Sequence, residues 1–132
     1  MTGPILAVLA LWVVQTLLPS SIFSMTVDKA TRDRFYADHL RGHDNVPPLP
    51  LYAARALRAQ HNMMEALPVF LGLSMLLLVR EATSGTAIAG AWVFFAARLL
   101  YVPAYIVAVP GLRSAVWGAS WVGLGMMIWQ LV

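Results

Sequence analysis

Charged and amide side chains recur along one face of an apolar segment near the middle of the sequence. The recurring residues are three or four positions apart: Arg55, Arg58, Asn62 and Glu65. At about 100° per residue of α-helix, they fall within an arc of about 80°. A guanidinium binds carboxylates and phosphates through paired N–H donors, and a carboxylate binds ammonium groups. The spacing therefore predicts a helix whose polar face could bind a small ligand that carries charges of both signs.

A second polar face is predicted further along the chain. Arg98, Tyr101 and Tyr105 repeat the spacing of three and four residues. Arg113 follows where the next apolar segment begins, with Ser114 beside it. A charge at the centre of a membrane helix costs roughly 2.5–3.5 kcal/mol by insertion scales. We therefore expect the two polar faces to meet inside a helix bundle, where each cation finds a partner.

The chain is too apolar for a typical soluble domain. Of its 132 residues, 60% are hydrophobic and 11% are charged, whereas about a quarter of the residues of a soluble domain are charged. No cysteine is present, which excludes disulfides, thiolate metal sites and a thiol nucleophile supplied by the protein. The net charge is only +3, and the basic residues are divided between one loop and the helix ends. This distribution argues against nucleic-acid binding and favours an integral membrane protein.

Four apolar segments are each long enough to supply the roughly 20 residues that a bilayer crossing requires. They span about residues 3–25, 52–79, 83–109 and 114–132. They predict an all-α fold in which a single domain forms a four-helix membrane bundle, with a polar loop at 26–51 that is helical in its middle. A signal peptide is the alternative for the first segment. It is disfavoured because no Lys or Arg precedes the segment and no A-x-A site follows it.

The distribution of Lys and Arg predicts the orientation of the bundle. Loop 26–51 carries Lys29, Arg32, Arg34 and Arg41, and Arg113 adjoins the connection at 110–113. The opposite side has Arg80 alone. Cytoplasmic loops are enriched in Lys and Arg, so both loops are predicted to be cytoplasmic and both termini to lie outside. The two polar faces would then lie in the cytoplasmic half of the membrane.

The polar residues also have interpretations that involve no small-molecule ligand. An ion pair between Arg58 and Glu65 would simply hold the bundle together. However, Glu65 is the only carboxylate on either face, and the arginines outnumber it, so an anionic ligand is favoured. His39 and His43 lie four residues apart beside Asp44, but this pattern is weak, and no metal site is predicted.

Small residues and prolines predict features of the helices themselves. Ala115, Ala119 and Gly123 form a small-residue ladder that favours close helix packing. Pro68 and Pro103 lie inside the second and third segments, where each is expected to kink its helix. At the end of the third segment, the pair at 110–111 is expected to terminate the helix.

Two motifs resemble the MAPEG superfamily, the membrane-associated proteins of eicosanoid and glutathione metabolism. The first is R-A-Q-x-N-x-x-E-x-x-P-x-F, which runs from Arg58 to Phe70. The second is the stretch ARLLYVPAYIVAVPGLRS at 97–114, whose compact ending resembles the bacterial branch of the family. The resemblance implies a homotrimer that binds glutathione between neighbouring subunits, in the cytosolic half of a membrane that we expect to be a bacterial inner membrane. No metal is implied.

The resemblance also implies roles for individual residues. Arg113 is expected to stabilise the glutathione thiolate, with Ser114 as the weaker catalytic candidate, and Gln60 is expected to reach a neighbour's site. Some members of the family have a tyrosine where this chain has Ala66. The complete set of predicted glutathione-binding residues is Arg55, Arg58, Gln60, Asn62, Glu65, Arg98, Tyr101 and Tyr105.

The expected function is that of a glutathione-dependent transferase or peroxidase acting on lipophilic electrophiles or lipid hydroperoxides. The main alternative is a non-catalytic, lipid-binding or scaffolding member of the same family. A small four-helix multidrug exporter is a more remote alternative. Such exporters depend on an acidic residue in the first helix, and the first apolar segment here has none. The identity of the electrophile is not indicated by the sequence.

Overall fold

The computed structural model describes residues 1–41, 48–109 and 111–132, and this part of the chain is helical with no β-strand. The all-α prediction is confirmed. His43 and Asp44 of the weak metal pattern lie outside the described residues, as does the side chain of His39. Five helices follow one another along the described chain: α1 Thr2–Thr26, α2 Lys29–Arg41, α3 Leu51–Val79, α4 Gly85–Val107 and α5 Leu112–Ile128.

Three helices, α1, α3 and α4, are long and apolar enough to cross a membrane. Helix α5 has 17 residues and ends at Ile128, whereas the sequence predicted an apolar helix to residue 132. At 1.5 Å per residue, a helix of this length spans roughly 25 Å, slightly less than the roughly 30 Å hydrocarbon core of a bilayer. Three of the predicted spans thus have the required length and composition, and the fourth stays a prediction.

Helix α2 lies within the predicted polar loop and begins at a side-chain cap. The Asp28 carboxylate accepts hydrogen bonds from the Thr31 backbone N–H at 3.0 Å and from the Thr31 hydroxyl at 2.7 Å. An N-cap of this kind satisfies backbone N–H groups that have no partner within the helix. The Phe35 ring packs 4.7 Å from the Phe23 ring at the end of α1. The ring pair packs α2 against the C-terminal end of α1.

Helices α4 and α5 form the closest helix pair of the fold. A Cβ atom added at Gly90 would lie 2.7 Å from the Gly123 carbonyl oxygen, and one added at Gly123 would lie 2.6 Å from the Gly90 carbonyl oxygen. The two backbones therefore touch where both residues lack a side chain. In the predicted small-residue ladder, Gly123 forms this contact and the half-buried Ala119 packs against an apolar cluster, whereas Ala115 is exposed. The buried face of α5 is instead formed by Val116, Ser120, Gly123, Leu124 and Met127.

A stacked aromatic pair fixes α3 against α4. The Phe70 and Phe94 rings are 4.6 Å apart and nearly parallel, and both side chains are fully buried. Val8 of α1 and Leu124 of α5 belong to the same apolar cluster. Phe94 lies one turn before Arg98. The cluster therefore places the polar face of α4, formed by Arg98, Tyr101 and Tyr105, against α3.

The connection between α4 and α5 differs in detail from the prediction. Helix α4 ends at Val107, because Ala108 adopts a left-handed conformation with φ 61° and donates its N–H to the Ala104 carbonyl. The sequence had suggested a stop at residues 110–111. Gly111 also has a positive φ, 77°, and α5 begins immediately after it. Arg113 therefore belongs to the first turn of α5.

Candidate functional site

Arg98 is the buried centre of the two polar faces. Its side chain is only 2% exposed, and its Nη1 donates a hydrogen bond of 2.5 Å to Asn62 Oδ1. Its guanidinium lies 5.3 Å from the Phe94 ring centroid and 5.7 Å from that of Tyr101. The hydrogen bond between Arg98 and Asn62 joins α4 to α3, so the two polar faces meet. The Arg98 Nε is buried and has no hydrogen-bond partner within the described part of the chain.

Two adjoining clefts open beside the bond between Asn62 and Arg98. The first has a volume of about 320 Å³ and the second about 240 Å³. Asn62 and Trp117 line both of them, so the clefts form one continuous groove. The remaining lining residues are Tyr101, Tyr105, Arg113 and Ser114 in the first cleft, and Glu65, Ala66, Arg98 and Trp121 in the second.

Arg113 packs over an aromatic ring at the first cleft. Its guanidinium carbon lies 5.0 Å from the centroid of the Tyr105 ring, and the Tyr101 ring is 5.5 Å from that of Tyr105. A cation over the face of an aromatic ring is attracted by the ring's quadrupole, which orients the guanidinium without consuming its N–H donors. The donors remain free to bind an anion in the cleft. Ser114 adds a hydroxyl to the same wall.

Glu65 supplies a negative charge to the second cleft. It is exposed at the groove, and within the described ranges it forms no ion pair with Arg58 or another cation. The structural pairing of Arg58 with Glu65, an alternative suggested by the sequence, is therefore not formed in this chain. The carboxylate remains available to a cationic group.

Arg58 and Gln60 lie apart from both clefts. Arg58 is exposed and Gln60 is half-buried, and neither lines the groove. They are on α3, within about one helical turn of Asn62. Within the single chain, the structure therefore brings together Asn62, Glu65, Arg98, Tyr101, Tyr105, Arg113 and Ser114, but not Arg58 or Gln60.

Arg55 occupies a different position from the one the sequence suggested. Its Nη1 donates a hydrogen bond of 2.8 Å to the backbone carbonyl of Ile106, in the last turn of α4. Arg55 lines neither cleft. Because the helical wheel gives only the direction of a side chain from its own helix, it could not indicate that a neighbouring helix end would accept this guanidinium.

Two tryptophans of the groove were missed by the sequence analysis. Trp117 and Trp121 line the groove from α5, with ring centroids 5.7 Å apart in an edge-to-face arrangement. They follow Arg113 at intervals of four residues, so all three share one face of the helix. That spacing was the available signal, but the small-residue ladder had directed attention to another face of α5.

Comparison with known proteins identifies a family. A family model described as the MAPEG family matches residues 5–132, nearly the whole chain. A search of curated proteins found no match.

Proposed function

The chain belongs to the MAPEG family, and on that premise we propose that it is a membrane-bound, glutathione-dependent transferase or peroxidase. The family includes such enzymes as well as non-catalytic members. The observation that carries the proposal is the groove itself. It combines a cation held over Tyr105, a carboxylate at Glu65, and a half-buried amide at Asn62.

The charges of glutathione are complementary to those of the groove. The tripeptide carries two carboxylates, an ammonium group and a thiol. Glu65 is placed to accept the ammonium group, and Asn62 can hydrogen-bond to the peptide amides. Arg58 is exposed and lines neither cleft of the single chain. It is proposed to pair with a carboxylate of a ligand bound between subunits, because a guanidinium binds this group through two parallel hydrogen bonds. The excess of arginines over carboxylates on α3 and α4 supports a ligand with net negative charge.

Arg113 is the proposed activator of the thiol. A free thiol has a pKa near 8.5, so little of it is ionised at neutral pH. A guanidinium close to the sulfur favours the thiolate, which is the nucleophile. Ser114 is the weaker candidate for the same role. In conjugation, the thiolate forms a C–S bond with an electrophilic carbon while a leaving group departs, an epoxide C–O bond opens, or an activated C=C bond accepts the electron pair and then a proton. In hydroperoxide reduction, it attacks the terminal oxygen and breaks the O–O bond, which gives the lipid alcohol and a glutathione sulfenic acid. A second glutathione then converts the sulfenic acid to the disulfide and water.

The proposed electrophile is lipophilic and enters from the bilayer. Trp117 and Trp121 are 42% and 45% exposed, and they form an aromatic wall beside the second cleft. An aromatic wall that borders both the groove and the membrane suits an apolar substrate whose reactive carbon or oxygen must reach the thiolate. The proposal covers the class of substrate and not its identity.

The site is proposed to be completed in a homotrimer. In the single chain, Arg58 and Glu65 are exposed on a membrane helix, which is costly for charges without partners. A neighbouring subunit that covers this face would remove the cost, and Gln60 would then reach the neighbour's site. We further propose that α5 is the fourth membrane span, and that loops 26–51 and 110–113 face the cytoplasm of a bacterium with both termini outside.

The test is binding and turnover with a panel of thiols. Protein purified in detergent is titrated calorimetrically with glutathione, with other low-molecular-weight thiols, and with glutathione analogues that lack one charged group. Conjugation and hydroperoxide reduction are then assayed with electrophiles of increasing apolar length. The proposal predicts saturable glutathione binding and turnover that rises with the lipophilicity of the electrophile. Absence of binding to every thiol would overturn it.

A non-catalytic, lipid-binding role is the second candidate, and one observation favours it. An apolar groove of about 270 Å³ lies on another face of the α4–α5 hairpin, lined by residues that include Pro103, Val107 and Leu112. A groove of this character suits an acyl chain. The thiol titration separates the two roles, because a lipid-binding scaffold has no need of glutathione and gives no turnover with any electrophile.

A further inference from the structure

Arg55 forms a tether between the beginning of α3 and the end of α4. We propose that Arg55 is a positioning residue, which fixes the last turn of α4 and thereby the placement of Arg113 over the first cleft. The inference rests on the proposed function in one respect, the role of Arg113 as thiolate stabiliser. The tether itself is a hydrogen bond of the structure, from Arg55 Nη1 to the Ile106 carbonyl at 2.8 Å.

The last turn of α4 is weakly held by its own backbone. Pro103 lies inside the helix and has no N–H, so the Leu99 carbonyl four residues earlier loses its helical partner. The last four carbonyls of a helix have no helical partner in any case. At this end the Ala104 carbonyl accepts the N–H of Ala108. Arg55 supplies a charged donor to the Ile106 carbonyl, so the turn that follows Pro103 is held from outside the helix.

The connection continues from this turn to Arg113. Tyr105 immediately precedes Ile106 in the chain, and the Arg113 guanidinium packs 5.0 Å from the Tyr105 ring centroid. The intervening connection turns through two residues with positive φ, Ala108 and Gly111. Ala108 is an unfavourable residue for that conformation, because its Cβ crowds the backbone there. A release of the last turn of α4 would therefore move Tyr105 and leave Arg113 without a fixed position.

The geometry favours a positioning role over direct ligand binding. Arg55 lines neither cleft, and its guanidinium is partly buried against α4. Its helical neighbour Arg58 is exposed and remains the arginine of α3 that can meet a carboxylate. A direct ligand role for Arg55 is an outcome that the test can detect.

The first measurement needs no ligand. Hydrogen exchange is followed at the backbone amides of residues 105–116 in the parent, in Arg55→Ala and in Arg55→Lys. The matched control is Arg80→Ala, which removes an exposed arginine at the other end of α3. Loss of one hydrogen bond from a charged donor predicts exchange about ten- to a hundredfold faster in Arg55→Ala. The control should match the parent, and Arg55→Lys should fall between. Unchanged exchange in Arg55→Ala overturns the tether.

The second measurement is a double-mutant cycle on the bound thiol. The pKa of glutathione bound to the protein is read from thiolate ultraviolet absorbance in the parent, Arg55→Ala, Arg113→Ala and the double variant. The proposal predicts that Arg55→Ala raises this pKa by less than Arg113→Ala does. It also predicts that Arg55→Ala has no further effect once Arg113 is absent, since the residues then act in series.

The outcomes distinguish the separate claims. If Arg55→Ala raises the pKa of the bound thiol equally in the parent and in Arg113→Ala, the positioning role is overturned. If Arg55→Ala lowers glutathione affinity but leaves the pKa of the bound thiol unchanged, the positioning role is also overturned, and Arg55 is a ligand residue. If Arg113→Ala leaves the thiol pKa unchanged, or glutathione does not bind, the proposed function fails. The hydrogen-exchange result then decides the tether independently.

Discussion

At the scale of residues, the site depends on a buried cation, Arg98, and an exposed carboxylate, Glu65, which line the same cleft. Arg98 is held by Asn62 and by two aromatic rings, so its charge has protein partners. Glu65 is exposed, interacts electrostatically with Arg98, and forms no ion pair within the described residues. A ligand is therefore expected to meet Glu65 with a cationic group.

Glu65→Gln is expected to weaken glutathione binding by about ten- to a hundredfold, the range for losing a hydrogen bond to a charged group. The loss should disappear for an analogue of glutathione that lacks the amino group, because that analogue makes no use of the charge at Glu65. Calorimetric titration of both ligands measures the difference. Glu81→Gln, at an exposed position beyond α3, is the control. Equal affinities of parent and Glu65→Gln for glutathione would show that Glu65 does not contact the ammonium group.

At the scale of elements, the hairpin of α4 and α5 carries most of the groove, and a glycine contact sets its spacing. Gly123→Ala is expected to destabilise the protein by about 1–3 kcal/mol, the usual cost of overpacking, because the new Cβ would lie 2.6 Å from a backbone oxygen. Gly118→Ala on the same helix meets nothing within 4 Å among the described residues. That control should be neutral or slightly stabilising. Thermal unfolding in detergent compares them, and equal stabilities would contradict the close contact.

The N-cap of α2, which is not one of the candidate membrane helices, predicts that the stability of this helix depends on pH. The hydrogen bonds from the Thr31 hydroxyl and backbone N–H lower the pKa of the Asp28 carboxyl below its ordinary value of 3.8. Because the folded state has the lower pKa, the cap contributes its stability above about pH 3.8 and loses it as the pH falls through the lowered pKa. Exchange protection of the α2 amides should decrease in that acid range.

Asp28→Asn separates the cap from other effects of acid. An asparagine oxygen also caps helices but does not titrate, so α2 should keep its protection as the pH falls. If the parent and Asp28→Asn lose protection at the same pH, the carboxyl is not the group that titrates.

The sequence predicted the polar faces of α3 and α4 because helical periodicity and charge are local properties. The orientation predicted from the Lys and Arg distribution put both polar faces in the same half of the bundle, and Asn62 and Arg98 form a hydrogen bond between them. Periodicity could not predict that α4 would end at Val107, since alanine at the next position rarely adopts a left-handed conformation, and the proline–glycine pair at 110–111 beyond it gave the stronger signal. The partner of Arg55 was missed because it is a backbone carbonyl, which leaves no trace in residue types. The buried face of α5 was misjudged because small residues occur on more than one of its faces.

At the scale of the whole molecule, the exposed charges of α3 are the basis for the proposed neighbouring subunit. Native mass spectrometry from detergent is expected to show a homotrimer. Gln60 is half-buried on the same helix, and a large side chain at this position should destabilise the trimer. The double variant Arg58→Ala/Glu65→Gln should destabilise the trimer less. A substitution such as Gln60→Trp should shift the population towards smaller species. A monomeric parent would contradict the shared site.

The central claim is that Arg113 stabilises a glutathione thiolate in the groove beside Asn62. Its most direct test is the thiolate absorbance of the complex, titrated against pH, in the parent, Arg113→Ala, Arg113→Lys and the control Arg80→Ala. Loss of a close opposite charge is expected to move the titration midpoint upward by about one to three pH units. Glutathione affinity should change only a few-fold, because other residues hold the ligand's charged ends. Arg113→Lys should recover part of the change, since it keeps the charge without the planar fork, and Arg80→Ala should titrate like the parent. An Arg113→Ala protein that binds glutathione and titrates like the parent would contradict the account.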